Sequence, residues 1–128
     1  MIGYVTLGTN DFPRAVAYYD ALFKSIGVGR YMEEDNYFVA WSPAPDAPAL
    51  SVTIPFNKQA ATVGNGVMVA LYFESPAQVD AFYHKALELG GTDEGKPGFR
   101  PTDATQGFYA GYFRDLDGNK LNAFCVVE

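Results

Sequence analysis

Cysteine and histidine are almost absent from this chain, which has only Cys125 and His84 among 128 residues. A lone cysteine excludes an intrachain disulfide and a cysteine-based metal cluster, and it fits a reducing compartment. Cys125 lies in an apolar run, where a thiol behaves as a small buried hydrophobe. Also missing are any run of lysine and arginine and any apolar stretch of about 18 residues that would span a membrane. With 15 acidic residues against 9 basic ones and a net charge of −6, the chain has no electrostatic footprint for nucleic acid. The opening residues, MIGYVTLGTND, lack a basic leader pattern, so the expected location is the cytoplasm, with neither a membrane nor a nucleic acid as partner.

Aromatic side chains, by contrast, are plentiful: 10 Phe and 9 Tyr in a chain that is 48% hydrophobic. Such a composition argues against disorder and leaves flat apolar area for lining a cavity. The length suits one folded domain, residues 1–128, able to bury a core without staples.

The chain also repeats itself. GVMVALYFESPAQVDAFYH, starting at Gly66, echoes the opening GYVTLGTNDFPRAVAYYD 64 residues later, pairing Val5 with Val69, Leu7 with Leu71, Tyr19 with Tyr83 and Gly27 with Gly91. A period this long exceeds a solenoid unit and suits two supersecondary modules. In the first, residues 2–9 alternate as a strand, Asn10 or Asp11 caps a helix with Pro13 in its first turn, and the helix ends at Gly27. Ala15, Val16, Tyr19, Leu22, Phe23 and Ile26 recur at helical spacing and should pack on a sheet. Strands near 28–34, 36–42 and 48–54 complete a βαβββ module, and residues 55–65 form the connection.

The second module, 66–128, repeats the order. A strand at 66–74 leads to Ser75, Pro76 and Gln78, a capping-box start, and the helix ends at Gly90 and Gly91. Residues 92–106 read as irregular chain holding at most a short strand. Residues 107–114 and 119–127 form a hairpin around DLDGN. That turn is not a calcium loop, because its glycine is fourth rather than sixth and no glutamate stands at the twelfth position.

The duplicated pattern, opened by YVTLGTND, joined by PFNKQAATVGNG and closed by RDLDGNKLNAF, resembles the vicinal oxygen chelate superfamily, which includes glyoxalases, bleomycin-resistance proteins and extradiol dioxygenases. The resemblance covers the whole chain. It implies an α+β fold in which two tandem βαβββ modules form a curved, incomplete mixed β-barrel with helices outside. It also implies a divalent metal held by His, Glu or Gln on the first and last strands of each module. Those positions fall here on Tyr4, Ser51, Met68 and Asn122. A Lewis-acid site needs about three imidazole or carboxylate ligands with one position open, so no metal and no other cofactor is expected. Superfamily members commonly dimerise, which implies a homodimer.

Alternation assigns the faces. Val5, Leu7, Leu50, Val52, Ile54, Val69, Leu71, Leu121, Ala123 and Cys125 form the apolar set for the helices to cover. The opposite face carries Ile2, Tyr4, Thr6, Ala49, Ser51, Thr53, Met68, Ala70, Tyr72, Asn122 and Phe124, the lining of a small-molecule pocket. Tyr37, Trp41, Tyr109, Tyr112 and Phe113 are either extensions of this lining or core, and Arg100 is either a contact for a ligand anion or a surface charge. His84, on the second helix, is expected at the surface.

Three functions remain open. The first is metal-free binding of a small hydrophobic or aromatic molecule, similar in mode to bleomycin-resistance proteins. The second is a glyoxalase-like lyase or isomerase, for which no general base is evident. The third is a dimerisation module whose pocket is filled by Tyr4, Met68 and Phe124.

Overall fold

A computed structural model describes all of residues 1–128 as two compact units, Met1–Asn65 and Gly66–Glu128. Each has one helix and one four-stranded mixed sheet, and neither sheet closes into a barrel.

The first unit runs β1 (Tyr4–Gly8), α1 (Phe12–Lys24), β2 (Gly29–Glu34), β3 (Phe38–Ser42) and β4 (Ala49–Thr53), with sheet order β1-β4-β3-β2. β1 and β4 are parallel, as a helical crossover requires, and β3 joins each neighbour antiparallel. Helix α1 begins where Asp11 accepts a hydrogen bond from the Arg14 N–H, with Pro13 in the first turn. Its buried stripe is Ala15, Val16, Tyr18, Tyr19, Leu22 and Phe23. Ile26 was expected in that stripe but is 39% exposed, because the helix has already ended. Gly27, at φ 74°, then turns the chain. The 55–65 connection is tied back by Asn10, whose side-chain amide accepts from the Ala61 N–H at 2.7 Å and donates to the Ala61 carbonyl at 3.1 Å.

The second unit runs β5 (Val69–Tyr72), α2 (Pro76–Glu88), β6 (Thr92–Phe99), β7 (Gly107–Arg114) and β8 (Lys120–Val127), in sheet order β5-β8-β7-β6. Ser75 caps α2 by accepting from the Gln78 N–H, and the Gln78 side chain reaches back to the Glu74 N–H. Val79, Phe82, Tyr83 and Ala86 face the sheet, with Phe82 tilted against Phe73 and Phe113. The DLDGN turn is built around Asp115. Its carboxylate accepts from the N–H groups of Asp117 and Asn119 and from the Asn119 side-chain amide.

One expectation needs correction. Residues 92–99 form a full edge strand rather than irregular chain, because register shifts between Asp93 and Gly95 and between Gly95 and Gly98 absorb the glycines. Pro97 is tolerated at an edge, where no ladder bond from its nitrogen is needed. The close fit of this strand depends on Gly111, where a Cβ would meet Pro97 at 2.9 Å and Tyr83 at 3.1 Å.

Candidate functional site

In each unit one face of the sheet is covered by its helix and the other is not. On the first sheet, Leu7, Leu50, Val52 and Trp41 lie under α1. The helix-free face carries Tyr4, Thr6, Ser51 and Thr53, as alternation requires. Its polar groups are already occupied. Ser51, fully buried, donates to the Val5 carbonyl at 2.9 Å and so accepts from the Thr6 hydroxyl, also at 2.9 Å. The Thr53 hydroxyl lies 3.1 Å from the Tyr37 carbonyl and 2.9 Å from that of Ile54. Tyr4 is 66% exposed.

On the second sheet Leu121, Ala123 and Cys125 lie under α2, and burial pushes the Cys125 thiol pKa up. The helix-free face places Ala70 opposite Asn122 and Tyr72 opposite Phe124, with Met68 just before β5. Tyr112 stands on the other side of Asn122, and Arg114 opposite Lys120. Three rings make an aromatic wall: Phe124 stacks on Phe108 with centroids 5.3 Å apart and meets Tyr72 edge-on at 5.7 Å.

Within this face Asn122 is exceptional. It is 1% exposed, and neither its Oδ1 nor its Nδ2 has a hydrogen-bond partner. Buried polar groups are nearly always paired, and leaving one unpaired costs about 1–3 kcal/mol. The repeat explains the vacancy. Ser51 faces Thr6 across β1 and β4, and Asn122 faces the repeat equivalent of Thr6, which is Ala70. A methyl group cannot answer a carboxamide.

Several residues proposed as lining lie elsewhere. Trp41 is 2% exposed under α1, packed on Tyr19 and Phe23, and its indole N–H donates to Asp20 at 2.9 Å. Its pocket assignment is therefore corrected to core. Phe113 is likewise core against Phe82, Tyr37 lies beneath the Lys58 ammonium, and Tyr109 points to the helix side. Ser51 is on the expected face, with its one hydroxyl proton committed to the Val5 carbonyl and its oxygen already accepting from Thr6. Arg100 reaches the second face, 5.5 Å from the Tyr112 ring centre. Tyr112 is thus the one flanking aromatic that extends the lining.

A cleft of about 440 Å³ lies on the opposite side of the second sheet, between α2 and β6–β7. The Tyr83 hydroxyl there donates to Asp93, and that of Tyr109 donates to Asp80, each at 2.7 Å. Burial is the main cause that pushes both phenols up to about 12. His84 borders this cleft exposed, its Nδ1 2.7 Å from the Asp80 carbonyl.

The residues do not fit a catalytic metal. A phenol, a hydroxyl bonded to its neighbours, a thioether and a neutral carboxamide occupy the four family positions, and no group of three His, Cys, Asp or Glu side chains converges anywhere in the chain.

The relatives agree with this architecture. A family model described as Glyoxalase/Bleomycin resistance protein/Dioxygenase superfamily matches residues 1–123. A glyoxalase/bleomycin resistance protein from Albidiferax ferrireducens T118 is 36% identical, with TM-score 0.83 over 98% of both chains. A glyoxalase/bleomycin resistance protein/dioxygenase family enzyme from Burkholderia phytofirmans PsJN shares the fold at 16% identity and TM-score 0.74 over 98% of both chains. So does a lactoylglutathione lyase from Agrobacterium tumefaciens, at 19% identity and TM-score 0.69 over 98% of this chain and 92% of that one. No protein with a curated description matches this sequence. Two βαβββ units, a family match over nearly the whole length and a relative alike from end to end lead to one conclusion: this chain belongs to the glyoxalase/bleomycin resistance protein/dioxygenase superfamily.

Proposed function

We propose that this protein binds a small hydrophobic or aromatic molecule on the helix-free face of its second sheet, and does so without a divalent metal. Asn122 carries the reading. An apolar wall of Tyr72, Phe124 and Phe108 beside one buried carboxamide with unused donor and acceptor is the composition of a ligand site, mostly apolar with a few placed polar groups. The lack of imidazole or carboxylate at the four family positions supports a metal-independent mode. No histidine lies on this face to act as a general base, which favours binding over turnover.

A thermal-shift screen of flat aromatic and aliphatic compounds, run in chelator and again with added Zn²⁺ or Ni²⁺, tests this. The expected result is stabilisation by aromatic compounds that is unchanged by metal. Stabilisation by metal alone would overturn the reading, and metal-dependent turnover of methylglyoxal with glutathione would replace it with the lyase.

A further inference from the structure

In a chain of net charge −6, the second helix-free face is unexpectedly basic. The Lys120 Nζ and the Arg100 guanidinium each lie 5.5 Å from the Tyr112 ring centre. Neither is within ion-pair distance of a carboxylate, whereas Arg114 beside them is paired with Glu94. Glu94 is held below its ordinary pKa first by its hydrogen bond from Arg114, with Lys120 a lesser cause. Two cations therefore share one aromatic ring, and neither is held in an ion pair.

Arg100 is held in place by its surroundings. Its Nη2 donates to the Lys96 carbonyl at 2.8 Å and its Nη1 to the Phe99 carbonyl at 3.2 Å, leaving other N–H groups of the fork unused. Glycines clear its berth: a Cβ on Gly95 would stand 3.4 Å from Nη2 and one on Gly98 3.3 Å from Nη1. Along β8, Lys120, Asn122 and Phe124 follow one another on the same face, spaced by about 7 Å per pair of residues. Read in order, they present a cation, an unpaired amide and an aromatic wall.

Resting on the reading above, we propose that the ligand is an aromatic carboxylate, its anionic group set between Lys120 and Arg100 and its ring against Phe124 and Tyr72. The carboxamide of Asn122 then gains a carboxylate oxygen to receive its Nδ2 donor bond. Because Asn122 is covered in the free chain, binding includes displacement of a neighbouring side chain. Tyr72, 66% exposed, can rotate rapidly.

The test is isothermal titration of the full chain in chelator with phenylacetate, trans-cinnamate and 1-naphthoate, each beside its neutral carboxamide. At least one acid should bind about tenfold or more tightly than its amide, the scale of one charge-assisted contact. The variants Lys120→Gln and Arg100→Gln should each remove most of that preference, weakening the acid several-fold more than the amide. Added salt should weaken the acid alone. Equal binding of acid and amide would overturn the carboxylate inference while leaving a neutral aromatic site standing. Failure of every acid and amide to bind would overturn both. A preference that survives both substitutions would overturn the assignment of these two residues.

Discussion

Ser51 and Asn122 occupy matching places in the two sheets, yet Ser51 meets the Thr6 hydroxyl at 2.9 Å while Asn122 faces the methyl of Ala70. One half of the duplication has a closed polar pair and the other has an open one. A function that needs a free amide would preserve this asymmetry, and stability alone would remove it. Replacing Asn122 by leucine, similar in volume and without polar atoms, is therefore expected to raise unfolding free energy by about 1–3 kcal/mol, measured by urea denaturation, and to abolish the thermal response to ligand. Ser51→Ala should instead lower stability by about 1 kcal/mol.

Ala70→Ser adds a hydroxyl opposite Asn122. It should recreate the first sheet's pairing, gain up to about 1 kcal/mol and weaken ligand affinity by competing for the amide. Urea melts and ligand titration on the same variant check both parts. Tighter ligand binding would contradict the proposed role of the free amide.

Trp41 is the only tryptophan, and its indole nitrogen donates to Asp20, which also pairs with Arg30 at 2.6 Å. The Arg30 hydrogen bond is the main cause that holds the Asp20 carboxyl below its ordinary 3.8, with Trp41 adding to it against burial. A depressed folded pKa means that this contribution to stability is complete above the unfolded carboxylate's range and is lost as pH falls through the lower folded value. Tryptophan emission should stay constant down to about pH 4 and change below it. Asp20→Asn should remove that titration. A midpoint above the ordinary carboxylate range would contradict the assignment.

Asp115 is 6% exposed and its carboxylate accepts two backbone N–H bonds and one from Asn119. Asp115→Ala leaves those donors unpaired and should cost about 2–3 kcal/mol, read from the urea midpoint at constant slope. A loss under about 0.5 kcal/mol, the usual limit for surface changes, would mean that Gly118, at φ 91°, and the chain around it hold the turn unaided.

Much of this architecture was legible in the sequence because local chemistry and burial agree. Asp11 and Ser75 announce the two helices, and alternation in β1, β4, β5 and β8 sorts each face correctly. Other features depend on distant partners. β6 was obscured because GKPGF looks like a turn, and only an edge position with two register shifts makes it a strand. Trp41 looked like a cavity residue because its acceptor, Asp20, lies on α1 rather than on its own sheet. The isolation of Asn122 required knowing that the β5–β8 register sets it against Ala70. The pairing of Arg100 and Lys120 around Tyr112 likewise appears only once three strands and a loop are assembled.

The most direct test follows the side-chain amide of Asn122 by ¹⁵N-correlated NMR, assigned by loss of its signal pair in Asn122→Leu, as an aromatic carboxylate that binds by calorimetry is titrated into chelated protein. This amide pair should move with the same dissociation constant as the calorimetric binding, with Ala70 and Phe124 backbone signals moving alongside it. An Asn122 amide that stays fixed while ligand binds would contradict the account and place the site elsewhere on the molecule.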